Sequence, residues 1–569
     1  MKAVPVVPEQ QGESSLVRLQ WRFRALIAIC GLIDCWNARF QNNPDGISIM
    51  DMGDRYWGGN WHAALNSYWS PLYGLLTGLM LRVTRPGIRW EYPEVHLLNF
   101  VIFLATLVSF EFFWRELISA RSEGEWVGAS RRYAWAVGYL LFICVYLGSR
   151  MLEYVNPDLM VSAFVLLVFW LVLRISAGRA KAATGASLGV ALGVGYLAKA
   201  AMLPFGVVVL VTLFAVMIRR RQRLLPGVWA FLVFLLISVP FIAALSWNNH
   251  HFTTGDSGKL NIAWNVNGVN GSAYEYRLWL GDAGSSAHRE HPVRKILNWP
   301  EVYEFATPIS GTYPVWEDPT YWWAGVDTKL HPAREAVTFV HSIGKIAIYL
   351  IKDIGVLTTV VLMIFLLSDR VRDSWRQLAG FWPILIPTVA VFMMYAIIVW
   401  LTRYTTGVML AGFAALVASL SISQDQRRVK VLRASSIALG SVAIVLVLQS
   451  MFQNYHDVGL WARQVEVAER LDGMGIERGD HLAIMGDGFD EEVWARLNGV
   501  EIIAEVPHTL ATGNSTSAFW SSTSEVEQKV LDAVKSTGAR ALVAQAPDGQ
   551  LPPGWAKLGN SGHVVFFFR

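Results

Sequence analysis

Residues 40–73, FQNNPDGISIMDMGDRYWGGNWHAALNSYWSPLY, hold three carboxylates (Asp45, Asp51, Asp54), Arg55 and a dense set of Trp and Tyr, directly after the first apolar stretch of the chain. A carboxylate can act as a general base toward a hydroxyl. Placed just outside a membrane helix, among rings that sit at the lipid–water boundary, such acids point to chemistry on a substrate that is part lipid and part polar. Asp45 lies in Pro-Asp-Gly, which is also a good turn sequence. Asp51 and Asp54, three residues apart, share one face if the segment is helical.

Three further ionisable residues stand in apolar surroundings: Asp158 in YVNPDLMVSAF, Lys199 in GYLAKAAMLP and Arg403 in VWLTRYTTG. Each also has a plainer reading. Asp158 follows Pro157 and suits a helix N-cap or first turn. Lys199 and Arg403 could simply snorkel to a membrane interface. Groups of this kind at membrane depth are costly, which makes a functional role the working expectation.

The elements that must position these residues are membrane helices. Of 569 residues, 53% are hydrophobic and 16% charged, against roughly 25% charged in soluble domains; mean hydropathy is +0.36. This is the composition of a polytopic α-helical membrane protein. The small net charge of +4 gives no reason to read a nucleic-acid partner. Cys30, Cys35 and Cys144 lie in apolar stretches and read as buried small hydrophobes. The first apolar run has no small-residue cleavage site after it and is expected to stay as an anchor. Candidate spans fall at 21–39, 95–114, 133–150, 156–174, 183–198, 201–218, 225–247, 346–368, 381–401, 404–422 and 433–452, about eleven crossings.

Sidedness turns on the apolar run 68–83. If it does not cross, the basic loops around Arg18, Arg22 and Arg24, Arg115–Arg132 (with Arg121), Arg174–Lys181, Arg219–Arg223, Arg370–Arg376 and Arg427–Arg433 all lie inside, as the positive-inside rule favours. Only Arg82, Arg85 and Arg89 then go against the rule. The N-terminus is cytoplasmic and the C-terminus external. Asp45, Asp51, Asp54, Asp158, Lys199 and Arg403 then share the outer face.

Two polar regions are external in this scheme. Residues 248–344 form a long loop rich in aromatic residues, Gly and Pro, a length that usually signals function. Residues 455–569 alternate helical and strand patterns (WARQVEVAERLDGMG, HLAIMG, VEIIAEV, VEQKVLDAVKSTG, ALVAQA, VVFFF) and predict a small α/β domain with a mostly parallel sheet. The chain therefore divides into a membrane domain, 1–454, with external loops 40–94 and 248–344, and a periplasmic α/β domain, 455–569.

The chemistry that suits this set is glycosyl transfer from a lipid phosphate. A carboxylate removes a proton from the acceptor hydroxyl, an oxocarbenium-like centre develops, and Lys and Arg meet the charge of the departing phosphate. Tyr68, Trp69, Tyr73, Trp322 and Trp323 are candidates to hold a sugar ring or prenyl chain. His288 and His291 have H-x-x-H spacing, but no well-placed acid completes a metal site, and His250, His251 and His331 read as surface residues. No cofactor is required; a divalent ion between the acids and a phosphate is compatible with the pattern.

The acid-bearing first external loop, Pro157-Asp158 at a helix start, Lys199 in a turn before Pro204, and Arg403-Tyr404 at a late helix start together resemble the GT-C superfamily. These integral-membrane glycosyltransferases use polyprenyl-phosphate sugars; protein mannosyltransferases and the aminoarabinose transferases of lipid A are examples. The resemblance implies an inverting transferase of the bacterial inner membrane with its site facing outward. Its catalytic residues would be Asp45 as base with Asp158 and Asp51 assisting. Lys199 and Arg403 would hold phosphate beside Tyr404, Tyr68 and Trp69, and the acceptor would be a glycan, lipid or protein. Here Asp45 is followed by Gly46 where the family commonly has an Asp-Glu pair, so the base is Asp45 alone or Asp45 with Asp51. The alternatives are an oligosaccharide ligase or polymerase using a polyprenyl-diphosphate donor, a lipid or sugar flippase without catalysis, and a non-catalytic scaffold. The flippase reading lacks paired broken helices at mid-membrane.

Overall fold

The computed structural model describes residues 9–120, 128–269, 288–305, 311–508, 513–547 and 551–568. Arg121 of the expected inner loop lies outside them. The apolar segments form α1 (Glu9–Asn37), α4 (Glu91–Ser119), α5 (Gly128–Tyr146), α6 (Asp158–Ser176), α7 (Ala182–Ala198), α8 (Met202–Arg219) and α9 (Leu225–Asn248). They continue as α10 (Pro332–Ile348), α11 (Gly355–Leu366), α12 (Val371–Gly380), α13 (Trp382–Ile398), α14 (Thr402–Ala418) and α15 (Asp425–Gly473). Among the described residues five helical stretches are long and apolar enough to cross a membrane: Ile88–Ser119, α6, α8, α9 and α15. The number is seven if each of two bent pairs is one span.

Those bent pairs alter the expected spans. The segment 346–368 is not one straight helix: a π-helical turn, Tyr349–Asp353, follows α10, and α11 departs at 86°. The α12–α13 pair bends by 78°. Lys352 and Asp353, in the middle of the expected span, therefore sit at a corner, where polar groups can reach out of the apolar layer.

Residues 40–94 fold into α2 (Pro44–Gly58) and α3 (Pro71–Thr84), each opened by a proline at its first position, where the missing N–H costs nothing. Pro-Asp-Gly is thus the start of a helix rather than a free turn. The 14 residues of α3 reach about 21 Å at about 1.5 Å per residue, short of the ~30 Å hydrocarbon layer. Glycines let α2 and α3 touch backbone to backbone: a Cβ on Gly53 would overlap the Gly74 carbonyl oxygen, and one on Gly78 would stand 2.6 Å from the Gly53 carbonyl oxygen.

The C-terminal region holds α16 (Gly488–Asn498) and α17 (Ser524–Ser536), with a seven-stranded sheet of order β1-β2-β4-β3-β5-β7-β6. The strands are β1 (Arg294–Asn298), β2 (Glu301–Glu304), β3 (His481–Gly486), β4 (Glu501–Pro507), β5 (Ala541–Gln545), β6 (Trp555–Lys557) and β7 (His563–Phe567). The sheet is mixed rather than mostly parallel. Among the described residues only β3–β4 and β3–β5 are parallel, because hairpin-type partners β7–β6 and β2–β1 close the two sides. Two of its strands come from the 248–344 loop. The 49-residue α15 runs unbroken from the apolar 433–452 stretch into WARQVEVAERLDG, where Asn498 of α16 donates to the Ala468 carbonyl oxygen at 3.0 Å.

Candidate active site

Asp45 lies in the first turn of α2, Asp158 opens α6, Lys199 follows the end of α7, and Arg403 begins α14. These helix ends converge. Arg403 Nη2 lies 2.8 Å from Asp45 Oδ2, and its Nε 3.2 Å from Asp158 Oδ2. Lys199 Nζ pairs with the other oxygen of Asp158. One guanidinium thus bridges two carboxylates, and an ammonium closes the set. The Asp158 carboxylate stands in the first turn of α6, where the two cations hold it and the positive end of the helix dipole favours its charge.

Exposure separates the two acids. The Asp158 side chain is 3% exposed, while Asp45 keeps 23% and Arg403 18%. Asp158 is therefore enclosed by its partners, and Asp45 remains within reach of a substrate. Burial works against the charge on Lys199, but Asp158, Tyr395 and Tyr404 together outweigh it and its pKa is raised. For Arg403 burial again opposes the charge, and Asp45 followed by Asp158 raises the pKa. Both groups stay cationic.

Rings fix the cations. Lys199 Nζ sits 3.8 Å from the centre of the Tyr404 ring, and Tyr404 packs on Tyr395 at 4.9 Å. Arg403 lies over Tyr154 at 5.3 Å. Such contacts favour a cation most where water is scarce. On the other side, Trp316 Nε1 donates to Asp45 Oδ1 at 3.2 Å. Trp316 belongs to an aromatic group with Trp69, Tyr68, Trp264 and Phe489, with ring centres 5.1–6.0 Å from its own. Trp69 Nε1 donates to the Trp316 carbonyl oxygen at 3.3 Å. Arg403 also borders a cavity of about 550 Å³, whose walls include Tyr154, Lys352, Asp353, Leu401, Leu446 and Gln453.

Asp51 is set apart from this group. It is buried and meets Arg496 of α16, with Nη1 2.6 Å from its Oδ1. Asp54 shares that guanidinium at 2.7 Å but keeps 41% of its side chain exposed, so the common face of the two acids meets the C-terminal region at Asp51 and opens to water at Asp54. Tyr73, Trp322 and Trp323 are not ring-holding surfaces: all three are buried, and the Tyr73 hydroxyl is spent on Asn99 at 2.6 Å. His291 stacks on Tyr321 at 4.0 Å. Among the described residues no group of three or more His, Cys, Asp or Glu is arranged to hold a metal ion.

No family model matches the sequence, and neither does any curated protein. In overall structure the chain is similar to ArnT from Cupriavidus metallidurans in the apo state, with a TM-score of 0.52 and 13% identity, over 97% of this chain and 98% of that one. The chain shares the fold of ArnT. ArnT from the same organism bound to undecaprenyl phosphate gives a TM-score of 0.49 at 14% identity, covering 95% and 96%. AglB from Archaeoglobus fulgidus, in complex with an inhibitory peptide and a dolichol-phosphate, gives 0.47 at 12%, covering 92% of this chain and 69% of that one.

Of the residues that the sequence singles out, Asp45, Asp158, Lys199, Arg403 and Tyr404 stand together in this fold. Sequence reasoning missed Trp316, Tyr154, Tyr395 and Arg496. Trp316 had a signal, since YPVWEDP crowds a ring, acids and prolines into one stretch of a long loop. Arg496 had none, because an Arg on an amphipathic helix is ordinarily a solvated residue.

Proposed function

We propose that the chain is an inverting glycosyltransferase of the bacterial cytoplasmic membrane, moving a sugar from a polyprenyl-phosphate donor to an acceptor hydroxyl on the outer face. The observation that carries this reading is Arg403 bridging Asp45 and Asp158 beside a cavity. Two acids and two cations at helix ends form a neutral group that an incoming phosphate can open, drawing Arg403 from Asp45 and leaving that carboxylate able to accept a proton.

Asp45 then takes the acceptor proton as the acceptor oxygen bonds to the anomeric carbon. The bond from that carbon to the phosphate oxygen breaks, and its electron pair leaves with the polyprenyl phosphate. Arg403, and Lys199 held by Asp158, offset the charge that gathers there. Asp158 orients the two cations instead of meeting the acceptor. The cavity beside Arg403 suits the phosphate end of the donor, with Lys352 as a second cation on its wall. Trp316, Trp69 and Tyr68 stand on the opposite side of Asp45, where a sugar ring would stack.

The outward orientation rests on the basic loops and on the short α3. It puts the N-terminus in the cytoplasm and the unit 455–569 outside. ArnT, which has this fold, is known bound to undecaprenyl phosphate; the same ligand class is proposed here from this chain's own residues. A divalent ion between the acids and the phosphate is compatible with the scheme. The test is mass spectrometry of envelope glycans and lipids in a deletion strain. Loss of one sugar together with accumulation of its polyprenyl-phosphate donor is expected. An unchanged envelope and donor pool would end the proposal, and accumulation of a diphosphate-linked oligosaccharide would move it to the ligase class.

A further inference from the structure

The C-terminal unit reaches the α2 helix through one buried side chain. Arg496 of α16 is 4% exposed. Its Nη1 serves Asp51 at 2.6 Å and Asp54 at 2.7 Å, and its Nε serves Glu91, at the start of α4, at 2.7 Å. Burial opposes the charge on Arg496, but Glu91, Asp54 and Asp51 outweigh it and its pKa is raised. Three carboxylates from two membrane-side helices therefore close on a guanidinium from the α/β unit. A planar fork fixes direction as well as distance.

From there contacts lead to Asp45. Asp51 accepts both donors of Thr312, the N–H at 2.8 Å and the hydroxyl at 3.1 Å. Strand β4 holds the same stretch: Ile502 N–H donates to the Thr312 carbonyl oxygen at 2.9 Å, and the Tyr313 hydroxyl donates to Glu505 at 2.6 Å. One helical turn later comes Trp316, whose indole donates to Asp45 and whose carbonyl oxygen accepts from Ser48 of α2 at 3.0 Å. Phe489 of α16 packs on the Trp316 ring at 5.1 Å.

We infer that Arg496 is a positioning residue for Asp45: it locks the C-terminal unit to α2 and holds the 312–316 segment so that Trp316 orients the carboxylate. The inference rests on Asp45 being the base. It gives the α/β unit a part in the reaction without any group that touches substrate.

The test compares full-length wild type with Arg496→Lys and Thr312→Val, by hydrogen exchange and by steady-state transfer from a polyprenyl-phosphate sugar. Arg496→Lys keeps the charge and loses the fork; Thr312→Val removes one bond downstream and guards against a variant that fails to fold. Faster exchange is expected at residues 44–50 and 312–317 in both variants. In Arg496→Lys, kcat should fall by about ten- to a hundredfold, as small misplacements do, with little change in donor KM. Faster exchange confined to residues 488–507, or a change in KM with kcat intact, would overturn the inference. Should wild type transfer no sugar, the functional reading fails by itself, and the exchange arm still decides whether Arg496 orders the turn that bears Asp45.

Discussion

Helix α2 carries two acid-and-arginine clusters, one in its first turn and one from its middle toward its end, and the two differ in charge balance and access. At its start, Asp45 and Asp158 face Arg403 and Lys199, two charges of each sign, beside a cavity and partly open. Further along, Asp51, Asp54 and Glu91 share Arg496, three acids to one cation; the Arg496, Asp51 and Glu91 side chains are 5%, 8% and 8% exposed, and Asp54 caps the group from the water side at 41%. An open, balanced group can exchange partners with an ionic ligand. The enclosed Arg496–Asp51–Glu91 part, with fixed hydrogen bonds from Thr312, has nothing to exchange, and holds chain to chain. Residue type alone does not tell a reacting acid from an anchoring one; what surrounds it does.

The sharpest way to break this contrast is to neutralise one acid in each cluster. Asp45→Asn should lower transfer by roughly 10²–10⁴-fold, the usual range for a general base, while polyprenyl phosphate still binds. Asp51→Asn keeps its shape but turns one accepting oxygen into a donor that faces Thr312 or Arg496. It should cost on the order of 1–3 kcal/mol in stability, with activity reduced far less than in Asp45→Asn. Both are read from one assay of transfer rate and thermal unfolding in detergent. Equal losses of activity would erase the distinction between the two clusters.

Lys199→Met comes next in size. It removes the ammonium but keeps an unbranched apolar chain over Tyr404. Asp158 then has Arg403 as its remaining cation partner among those seen here. Turnover is expected to drop by roughly 10²-fold, within the range for losing one donor to a developing anion, and polyprenyl-phosphate affinity should weaken with it. Affinity at the wild-type level would take Lys199 out of phosphate binding.

Much of this was legible in the sequence because membrane insertion imposes a strong code. Apolar runs and basic loops located the helices and brought Asp45, Asp158, Lys199 and Arg403 to one face before any contact was known. Lys199 and Arg403 stood out because a charge in VGYLAKAAML or IVWLTRYTTG needs a partner. The aromatic shell was harder. Trp69 and Trp316 line the site while Trp322 and Trp323 fill a core, and composition treats all four alike. Alternating helix and strand signals within 455–569 predict a mostly parallel sheet; they carry no sign that β7 returns antiparallel to β5 and β6, and they say nothing of β1 and β2, which arrive from a loop more than 150 residues earlier. Arg496 was invisible for the same reason: its partners Asp51, Asp54 and Glu91 are distant in sequence.

The placement of α2 is open to a packing test at Gly53, between Asp51 and Asp54. Gly53 lies against the backbone of α3, with Gly74 and Gly78 opposite. Gly53→Ala puts a methyl group where neither backbone can yield, so α2 must shift or tilt. The expected cost is roughly 1–3 kcal/mol, as for other overpacked contacts, with a drop in kcat as Asp45 moves from Arg403. Ala at Gly58, where an added Cβ would meet nothing within 4 Å, serves as the control and should leave both unchanged.

The smallest effect concerns the anchoring cluster and its response to pH. His563 of β7 points Nε2 at Glu491 Oε1, 3.3 Å away, near the start of the helix that carries Arg496; Glu491 Oε2 accepts from Trp494 at 2.6 Å. Burial works against the imidazolium, and Arg463 adds to that, but the hydrogen bond and charge of Glu491 outweigh both, so the pKa of His563 is raised. A histidine whose folded pKa exceeds its unfolded value adds stability that is complete below the unfolded pKa of about 6.5 and lost as pH rises through the folded one. Apparent Tm of the C-terminal unit should therefore fall by a few degrees as pH climbs above neutrality, and His563→Gln should flatten that dependence. The cluster at Asp45 contains no histidine, so donor binding should not follow the same curve. If binding and stability decline together in wild type and both flatten in His563→Gln, the two clusters on α2 are coupled more tightly than their separate contacts imply.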